Sequence, residues 1–283
     1  MIIKEREKMN NKIFYPIIND LYYYLNIDSK LSNIEKKCNK KANEMLLDNI
    51  KKDLSDILYN GCIECFVDYF HYLKKSGFIK GIEHEQRLSE FQEIMSSKDE
   101  GINNFFSRYS GLNDSLEKKI QLTISIIEEI LYRYEIDKNI IKDKFKINGN
   151  IISIKHSLGD YHNGKTVCLL KFEKGLVVYK PRNSFVDELY NDLLDIVSKN
   201  DIQMMKIETI NRDDYSWHEY ISHYECSNME QVHRFYYRAG VNLAIFYAIG
   251  TNDIHVMKMT IVMIIKNVVI TLQLPLRLLI VLR

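Results

Sequence analysis

A polar turn followed by two apolar strands decides the fold of this chain. The turn is Gly159-Asp160-Tyr161-His162-Asn163-Gly164-Lys165-Thr166, the first strand is Val167–Phe172, and the second is Leu176-Val177-Val178-Tyr179-Lys180-Pro181-Arg182. Lys174-Gly175 separates the strands, and this turn chemistry between β-branched segments predicts a β-hairpin. Lys180 ends an otherwise apolar strand, so its ammonium either extends from the sheet into water or is held in a cleft to meet an anion.

Phosphotransferases use the second arrangement. They place a turn over the phosphates of a nucleotide and a strand lysine against the α and β phosphate oxygens. The spacing of Lys180 behind the polar turn fits that chemistry, but it fits a lysine at the sheet surface equally well. The residues alone therefore leave both interpretations open.

Five motifs occur in an order that resembles one enzyme family. They are Gly159-Asp160-x-His162-x-x-Lys165, Val178-Tyr179-Lys180-Pro181-Arg182, Tyr215-Ser216-Trp217-His218-Glu219-Tyr220-Ile221, Phe235-Tyr236-Tyr237-Arg238-Ala239-Gly240 and Gly250-Thr251-Asn252-Asp253-Ile254-His255. Together they resemble the dehydratase domain of class II lanthipeptide synthetases, the LanM-type enzymes. These enzymes install dehydroamino acids in a precursor peptide, and complete members use ATP and Mg²⁺ to phosphorylate Ser or Thr and then eliminate phosphate.

The resemblance implies roles for five residues. Asp160 and His162 would lie beside the phosphates of ATP, and Lys180 would contact them. Asp253 and His255 would act as catalytic residues where the Ser or Thr hydroxyl meets the γ-phosphate. Phosphoryl transfer needs such a carboxylate, together with oxygen ligands for magnesium. Without the resemblance, His162 and His255 would be interpreted as ordinary hydrogen-bonded histidines.

The chain departs from the family after His255. Lys258 stands where the family has a metal-binding asparagine, and no Asp or Glu follows Asp253. The sequence therefore offers no metal ligand after Asp253, and neither the family's elimination region nor its C-terminal zinc cyclase is recognisable. We expect an inactive, truncated part of a dehydratase, in which nucleotide binding is doubtful and no zinc site exists.

The apolar residues 256–283 have two interpretations. Roughly twenty apolar residues would span a bilayer, but Lys266-Asn267, Pro275 and Arg277 interrupt this run. The preferred interpretation is a tail that is read out of frame. Residues 1–8 also lack the apolar core of a signal peptide.

We predict an α+β fold in three parts. Residues 1–143 form a helical N-terminal region of the dehydratase domain, 144–255 an incomplete kinase-like core, and 256–283 the aberrant tail. The resemblance implies that the core is a lipid-kinase-like small lobe with an antiparallel sheet, followed by the start of a helical large lobe. Within the core, Lys144–Ile147 and Ile151–Ile154 are predicted to pair around an Asn148-Gly149 turn.

Further helices and strands are predicted from the spacing of apolar residues and from residues that cap helices. We predict a helix over Leu116–Glu135, a helix over Ser184–Ser198 capped by Ser184, a hairpin of residues 203–210 with 215–221, and a buried helix over Glu230–Ile249. Apolar positions of this last helix are Val232, Phe235, Tyr236, Ala239, Leu243, Ala244 and Tyr247. Glu188 could pair with Lys180, although a solvated glutamate is preferred, and Trp217 is expected to anchor the core rather than bind adenine.

Composition limits the partners. The net charge is +1 with 27% charged residues, so no strong field attracts nucleic acid or an anionic membrane. The five cysteines suit reduced thiols in the cytoplasm. Cys62 and Cys65 form a single CxxC, whereas a zinc site needs four ligands, so an inward helix face is preferred. The expected partner is a lanthipeptide precursor with its leader and core peptide.

Two other function classes stay open. Another kinase-like phosphotransferase would need an alternative metal carboxylate, which the residues after Asp253 do not provide. A non-enzymatic interaction module could be tethered to a membrane by residues 259–283. Membrane fractionation of the expressed chain would separate this last hypothesis from the dehydratase.

The out-of-frame tail makes a prediction about the gene. Val256-Met257-Lys258-Met259 must be encoded GTN-ATG-AAR-ATG, and reading two bases later gives (Tyr, His, Asn or Asp)-Glu-(Asn or Asp). The shifted frame thus offers the family loop Asp-Ile-His-x-Glu-Asn. Sequencing the DNA from codon 255 onward is expected to show this frame continuing into a metal-ligand aspartate and a cyclase. A stop codon soon after the shift would contradict it.

Overall fold

The computed structural model describes residues 14–37, 44–97, 100–156, 165–198, 204–222 and 225–250. These residues contain helices and one antiparallel sheet, which confirms the predicted α+β class. In chain order the helices are α1 (Tyr15–Tyr24), α2 (Ile27–Lys37), α3 (Glu44–Lys75), α4 (His84–Met95), α5 (Gly101–Arg108), α6 (Leu112–Phe145), α7 (Phe185–Ser198) and α8 (Met229–Ala248). The strands are β1 (Asn148–Lys155), β2 (Cys168–Lys174), β3 (Leu176–Lys180), β4 (Thr209–Asn211) and β5 (Ser216–Glu219).

The chain divides into two compact units. The first comprises residues up to Ile136 together with Asn150–Ile154, and the second comprises Asp137–Gly149 and the residues from Lys155 onward. The centre of β1 belongs with the helices because Asn49 of α3 donates a hydrogen bond to the carbonyl of Ile152, at 3.1 Å. The candidate nucleotide lysine, Lys180, lies in the second unit.

An aromatic cluster forms the core of the first unit. Phe66, Phe91 and Phe105 are fully buried. The ring of Phe66 lies 5.1 Å from that of Phe105 and 5.5 Å from that of Phe14. Further buried apolar side chains of this unit are Ile17, Ile18, Leu21, Leu25, Leu46, Ile50, Leu54, Ile57 and Leu58. Offset and edge-on ring pairs stabilise such a core beyond the burial of their area.

The CxxC pair lies on helix α3, as the preferred interpretation expected. Cys62 is buried and Cys65 is half-buried. Burial raises the pKa of the Cys62 thiol to about 12, with a smaller effect from Cys65, so the thiol is protonated and inert at neutral pH. In the part of the chain that the structure describes, no three His, Cys, Asp or Glu side chains cluster as a metal site would require.

The sheet has the strand order β1-β2-β3-β5-β4. Strands β2 and β3 form the predicted antiparallel hairpin, with Cys168 opposite Tyr179. Gly175 connects them with φ of 115°, a conformation that glycine adopts without steric cost. Strand β5 pairs with both β3 and β4, and its register places Ser216 opposite Lys180. The predicted hairpin before and after 211–214 is confirmed, with shorter strands.

The predicted hairpin around Asn148-Gly149 is wrong. Helix α6 extends beyond the predicted Glu135 to Phe145, so Lys144 and Phe145 are helical rather than extended. Asn148 and Gly149 then begin β1 instead of forming a turn. Gly149 has φ of 89°, and a Cβ there would lie 2.6 Å from the Cβ of Glu173. The glycine therefore permits a close approach to β2.

The two helices of the second unit's core have the predicted positions, but one buried face differs. Tyr190 and Leu194 of α7 pack with Ile245 and Phe246 of α8, and the Tyr190 and Phe246 rings stack at 5.5 Å. On α8, the predicted core positions Tyr236, Leu243, Ala244 and Tyr247 are exposed, whereas Ala239 is buried as predicted. The buried face of α8 instead includes Asn242, which accepts a hydrogen bond from the Tyr190 hydroxyl.

The described helices include none with the length and apolar character needed to cross a bilayer. Residues 256–283, which the sequence suggests as a tail or tether, lie outside the described residues.

The aromatic cluster predicts how the first unit responds to a cavity. Replacing Phe91 by alanine removes a fully buried ring that faces Phe14, Phe66 and Tyr69. We expect a loss of about 3–5 kcal/mol in the free energy of unfolding, measured by urea titration with far-ultraviolet circular dichroism. Phe78→Ala is the matched control, because Phe78 is 64% exposed. Equal losses in the two variants would contradict the core described.

Candidate functional site

Lys180 is buried at the end of β3 and is only 2% exposed. Its Nζ donates a hydrogen bond to Oδ2 of Asp187 at 2.8 Å. Asp187 lies in the first turn of α7, so the ion pair joins the end of the strand to the start of the following helix. Of the two interpretations of Lys180, the lysine extending into water is therefore wrong, and the lysine held in a cleft to meet an anion stays a prediction.

The partner of Lys180 is Asp187, not Glu188. Successive residues of a helix are rotated by about 100°, so only one of these two neighbours can face the strand. The choice follows from the buried face of α7, because Asp187 precedes the buried Tyr190 and Leu194 by three and seven residues. This spacing is visible in the sequence and would have identified Asp187 as the residue that faces Lys180.

Three further polar side chains are buried beside the ion pair. Ser184 and Ser216 are fully buried and His218 is 3% exposed. The two serine oxygens lie 2.7 Å apart, and Nε2 of His218 is 3.0 Å from Ser216 Oγ and 3.1 Å from Ser184 Oγ. The same nitrogen is 3.8 Å from Oδ2 of Asp187. The two serines and His218 form one hydrogen-bonded network, and the imidazole lies beside the Asp187 carboxylate without a hydrogen bond to it.

The network uses Ser184 differently from the predicted helix cap. Its hydroxyl bonds to Ser216 and His218, while its backbone N–H donates to Oδ1 of Asn211 at 2.8 Å. The first backbone N–H of α7, that of Phe185, donates instead to Oδ1 of Asn183 at 2.7 Å. Asn183 thus satisfies a helix N–H that has no partner within the helix.

Burial controls the charge of the two basic groups. It lowers the pKa of the Lys180 ammonium, while the ion pair with Asp187 opposes that change and nearby Arg182 adds to it. Burial also lowers the pKa of His218 well below its ordinary value, and the positive charges of Lys180 and Arg182 act in the same direction. His218 is therefore neutral at neutral pH, and Lys180 is the partner that balances the carboxylate.

A buried carboxylate, that of Asp137 on α6, holds the β4–β5 hairpin. Asp137 is 1% exposed. Its Oδ1 accepts hydrogen bonds from Arg212 Nε at 3.1 Å and Nη2 at 2.6 Å. Its Oδ2 accepts bonds from the Tyr215 hydroxyl at 2.8 Å and from Trp217 Nε1 at 2.9 Å. Trp217 is fully buried, which confirms it as a core anchor.

The four donors keep Asp137 ionised. Burial alone would raise the pKa of this carboxyl, but the hydrogen bonds from Arg212, Trp217 and Tyr215 outweigh it and lower the pKa. Burial, together with the hydrogen bond to Asp137, raises the pKa of Tyr215 to about 12. Because the carboxylate oxygens are already occupied by protein donors, Asp137 has a structural role. Sequence reasoning missed it, since nothing near Asp137 in the chain marks it.

Of the five predicted site residues, Lys180 is described, and Asp160, His162, Asp253 and His255 lie outside the described residues. The Lys180 ammonium has three N–H donors, one of which bonds to Asp187. The described residues offer no set of oxygen ligands for magnesium.

Comparison with known proteins gives two matches. The model of a family described as a domain of unknown function, DUF4135, matches residues 109–261, which is more than half of the chain. The lacticin 481/lactococcin biosynthesis protein LcnDR2 of Lactococcus lactis subsp. lactis is 24% identical over 226 residues. The match covers 76% of this chain and 24% of that protein, so the chain spans about a quarter of the length of the relative.

The Asp137 anchor predicts an acid-sensitive contribution to stability. Asp137→Asn is expected to lower the free energy of unfolding at pH 7 by about 2–4 kcal/mol, because donors to a buried carboxylate are left poorly matched. A carboxyl whose pKa is lowered by folding stabilises above its unfolded pKa. The difference from the unsubstituted chain should therefore begin to shrink as pH falls below about 4, the ordinary pKa of an aspartate, and shrink further as pH falls through the lower pKa of folded Asp137.

Urea titrations followed by the fluorescence of Trp217, the single tryptophan, would measure this difference. Asp195→Asn serves as the control, because Asp195 forms an exposed pair with Lys206 and such pairs contribute about 0–1 kcal/mol. A loss that is the same at pH 3 and pH 7 would show that the Asp137 charge is not the cause.

Proposed function

Because the chain belongs to the DUF4135 domain family, we propose that it takes part in lanthipeptide biosynthesis. The family membership and the similarity to LcnDR2 confirm the resemblance to class II synthetases that the five motifs indicated. The proposed substrate is a precursor peptide, with its leader and core segments, in the cytoplasm.

The proposed chemistry is that of a dehydratase. ATP would phosphorylate a Ser or Thr hydroxyl of the precursor, and phosphate elimination would give dehydroalanine or dehydrobutyrine. In this proposal Lys180, with Asp160 and His162, holds the phosphates within a kinase-like small lobe. Asp253 and His255 meet the hydroxyl at the γ-phosphate. These assignments, apart from the surroundings of Lys180, rest on the family resemblance.

The observation that best supports the proposal is the Lys180–Asp187 ion pair. In protein kinases the strand lysine that contacts the nucleotide phosphates is paired with a carboxylate on the following helix. Here a buried strand lysine lies 2.8 Å from a carboxylate in the first turn of the next helix. An ordinary surface lysine needs no such partner, so this pairing favours a positioned phosphate ligand.

Phosphoryl transfer by this chain is expected to be weak. Lys258 stands where the family has its metal-binding asparagine, and a lysine cannot ligate magnesium as an amide oxygen does. We therefore propose that the chain binds nucleotide better than it turns it over. Transfer of labelled phosphate from ATP to a lanthipeptide precursor, above the level of an Asp253→Ala variant, would overturn this expectation.

Nucleotide binding tests the role of Lys180. Lys180→Met is expected to weaken binding of trinitrophenyl-ATP with Mg²⁺ about tenfold to a hundredfold, since a hydrogen bond to a charged group contributes about 1.5–3 kcal/mol. Fluorescence titration measures the affinity, and circular dichroism verifies that the variant is folded. Lys171→Met is the matched control, because Lys171 is exposed on β2. Equal affinities in the two variants would refute the proposed site.

A further inference from the structure

The cluster formed by Ser184, Ser216 and His218 has no part in the proposed reaction, yet it touches both halves of the ion pair. Ser184 directly precedes α7, the helix that carries Asp187. Ser216 lies opposite Lys180 in the pairing of β3 with β5. The two hydroxyls are 2.7 Å apart and both contact His218. The Ser184 hydroxyl therefore belongs to the segment that leads into the helix of Asp187, and the Ser216 hydroxyl belongs to the strand that lies beside Lys180.

The cluster is not a nucleophile with its base. In a Ser-His-Asp triad the carboxylate binds one imidazole nitrogen and the serine binds the other. Here Oδ2 of Asp187 and both serine oxygens approach the same nitrogen, Nε2 of His218. The arrangement fits a structural purpose close to the site.

The number of hydrogens that the two serine hydroxyls can donate indicates which nitrogen of the His218 imidazole carries a hydrogen. Ser216 donates its hydroxyl hydrogen to the carbonyl of Arg182 at 3.1 Å, so the contact between the serines takes the hydrogen of Ser184. The two serine–histidine contacts then have no hydrogen unless the imidazole provides one. A neutral His218 with its hydrogen on Nε2 supplies one hydrogen, which the two serine oxygens share.

We infer that His218 is a positioning residue, which donates from Nε2 to the two serines and thereby fixes the first turn of α7 so that Asp187 faces Lys180. The charged groups around it are Lys180, Arg182 and Asp187, and its strand partners Val178 and Thr209 are uncharged. Because the imidazole is neutral, it does not compete with Lys180 for Asp187. The inference deepens the proposed function, since it concerns the lysine proposed to bind phosphate.

Chemical labelling of Lys180 tests this inference without any nucleotide. Competitive acetylation by acetic anhydride, with mass spectrometry of the Lys180 peptide, gives the reactivity of the amine as a function of pH. His218→Leu removes the donor, so Asp187 is held less firmly and Lys180 loses part of its counter-charge. We expect Lys180 to react about tenfold faster at pH 8, equivalent to about one unit of pKa.

A conservative substitution of His218 distinguishes a positioning role of this residue from a role in packing alone. His218→Gln keeps an N–H donor near the place of Nε2, so its labelling profile should stay within about twofold of the unsubstituted chain, well under one pKa unit. His233→Leu, at an exposed histidine of α8, is the matched control and should change nothing. An unchanged profile in His218→Leu, or equal changes in the leucine and glutamine variants, would overturn the inference.

The unsubstituted chain offers a second measurement if the leucine variant does not fold. Nuclear magnetic resonance of ¹⁵N-labelled histidines should show His218 with its hydrogen on Nε2 and without titration between about pH 5.5 and 8, where exposed histidines titrate. A hydrogen on Nδ1, or an ordinary titration, would refute the inference. If Lys180→Met leaves nucleotide binding intact, the proposed function fails while these results still decide the role of His218.

Discussion

A lysine ammonium removed from water needs a counter-charge at hydrogen-bond distance, because an unpaired buried charge costs several kcal/mol. In the second unit this constraint fixes where β3 ends and where α7 begins. Lys180 is the last residue of the strand, and the turn that follows must return the chain so that Asp187 arrives 2.8 Å from Nζ. The helix is therefore attached to the sheet by charge and hydrogen bonds at its start, and further along it packs against α8 through the apolar side chains around Tyr190.

Strand β5 and the preceding residue Tyr215 connect this ion pair to the buried carboxylate of Asp137 through the alternation of their side chains. Successive residues of a strand point to opposite faces of the sheet. Tyr215 and Trp217 donate to Asp137, whereas Ser216 and His218 contact each other in the network beside Lys180. One short strand thus contributes to two polar centres at once, and a shift of its register by one residue would exchange the two sets.

Local sequence signals predicted most of the helices and strands. The features that these signals did not predict depend on contacts with residues distant in sequence. The β2–β3 hairpin and α7 follow from turn residues and hydrophobic period, and both are present. Asn148-Gly149 carries a hairpin signal, but the continuation of α6 and the approach of Glu173 override it. Within the site, the burial of Lys180 could not be told from its own strand, because it depends on a carboxylate of the next helix. The anchor at Asp137 has donors 75 to 80 residues away.

That separation has a consequence for the order of folding during synthesis. The carboxylate of Asp137 leaves the ribosome well before Arg212, Tyr215 and Trp217, which follow it by 75, 78 and 80 residues. At about 5–20 residues per second the delay is on the order of ten seconds. Throughout that interval the carboxylate of Asp137 lacks these donors and stays hydrated. Closing the hairpin onto it is a late, non-local step in the maturation of the nascent chain.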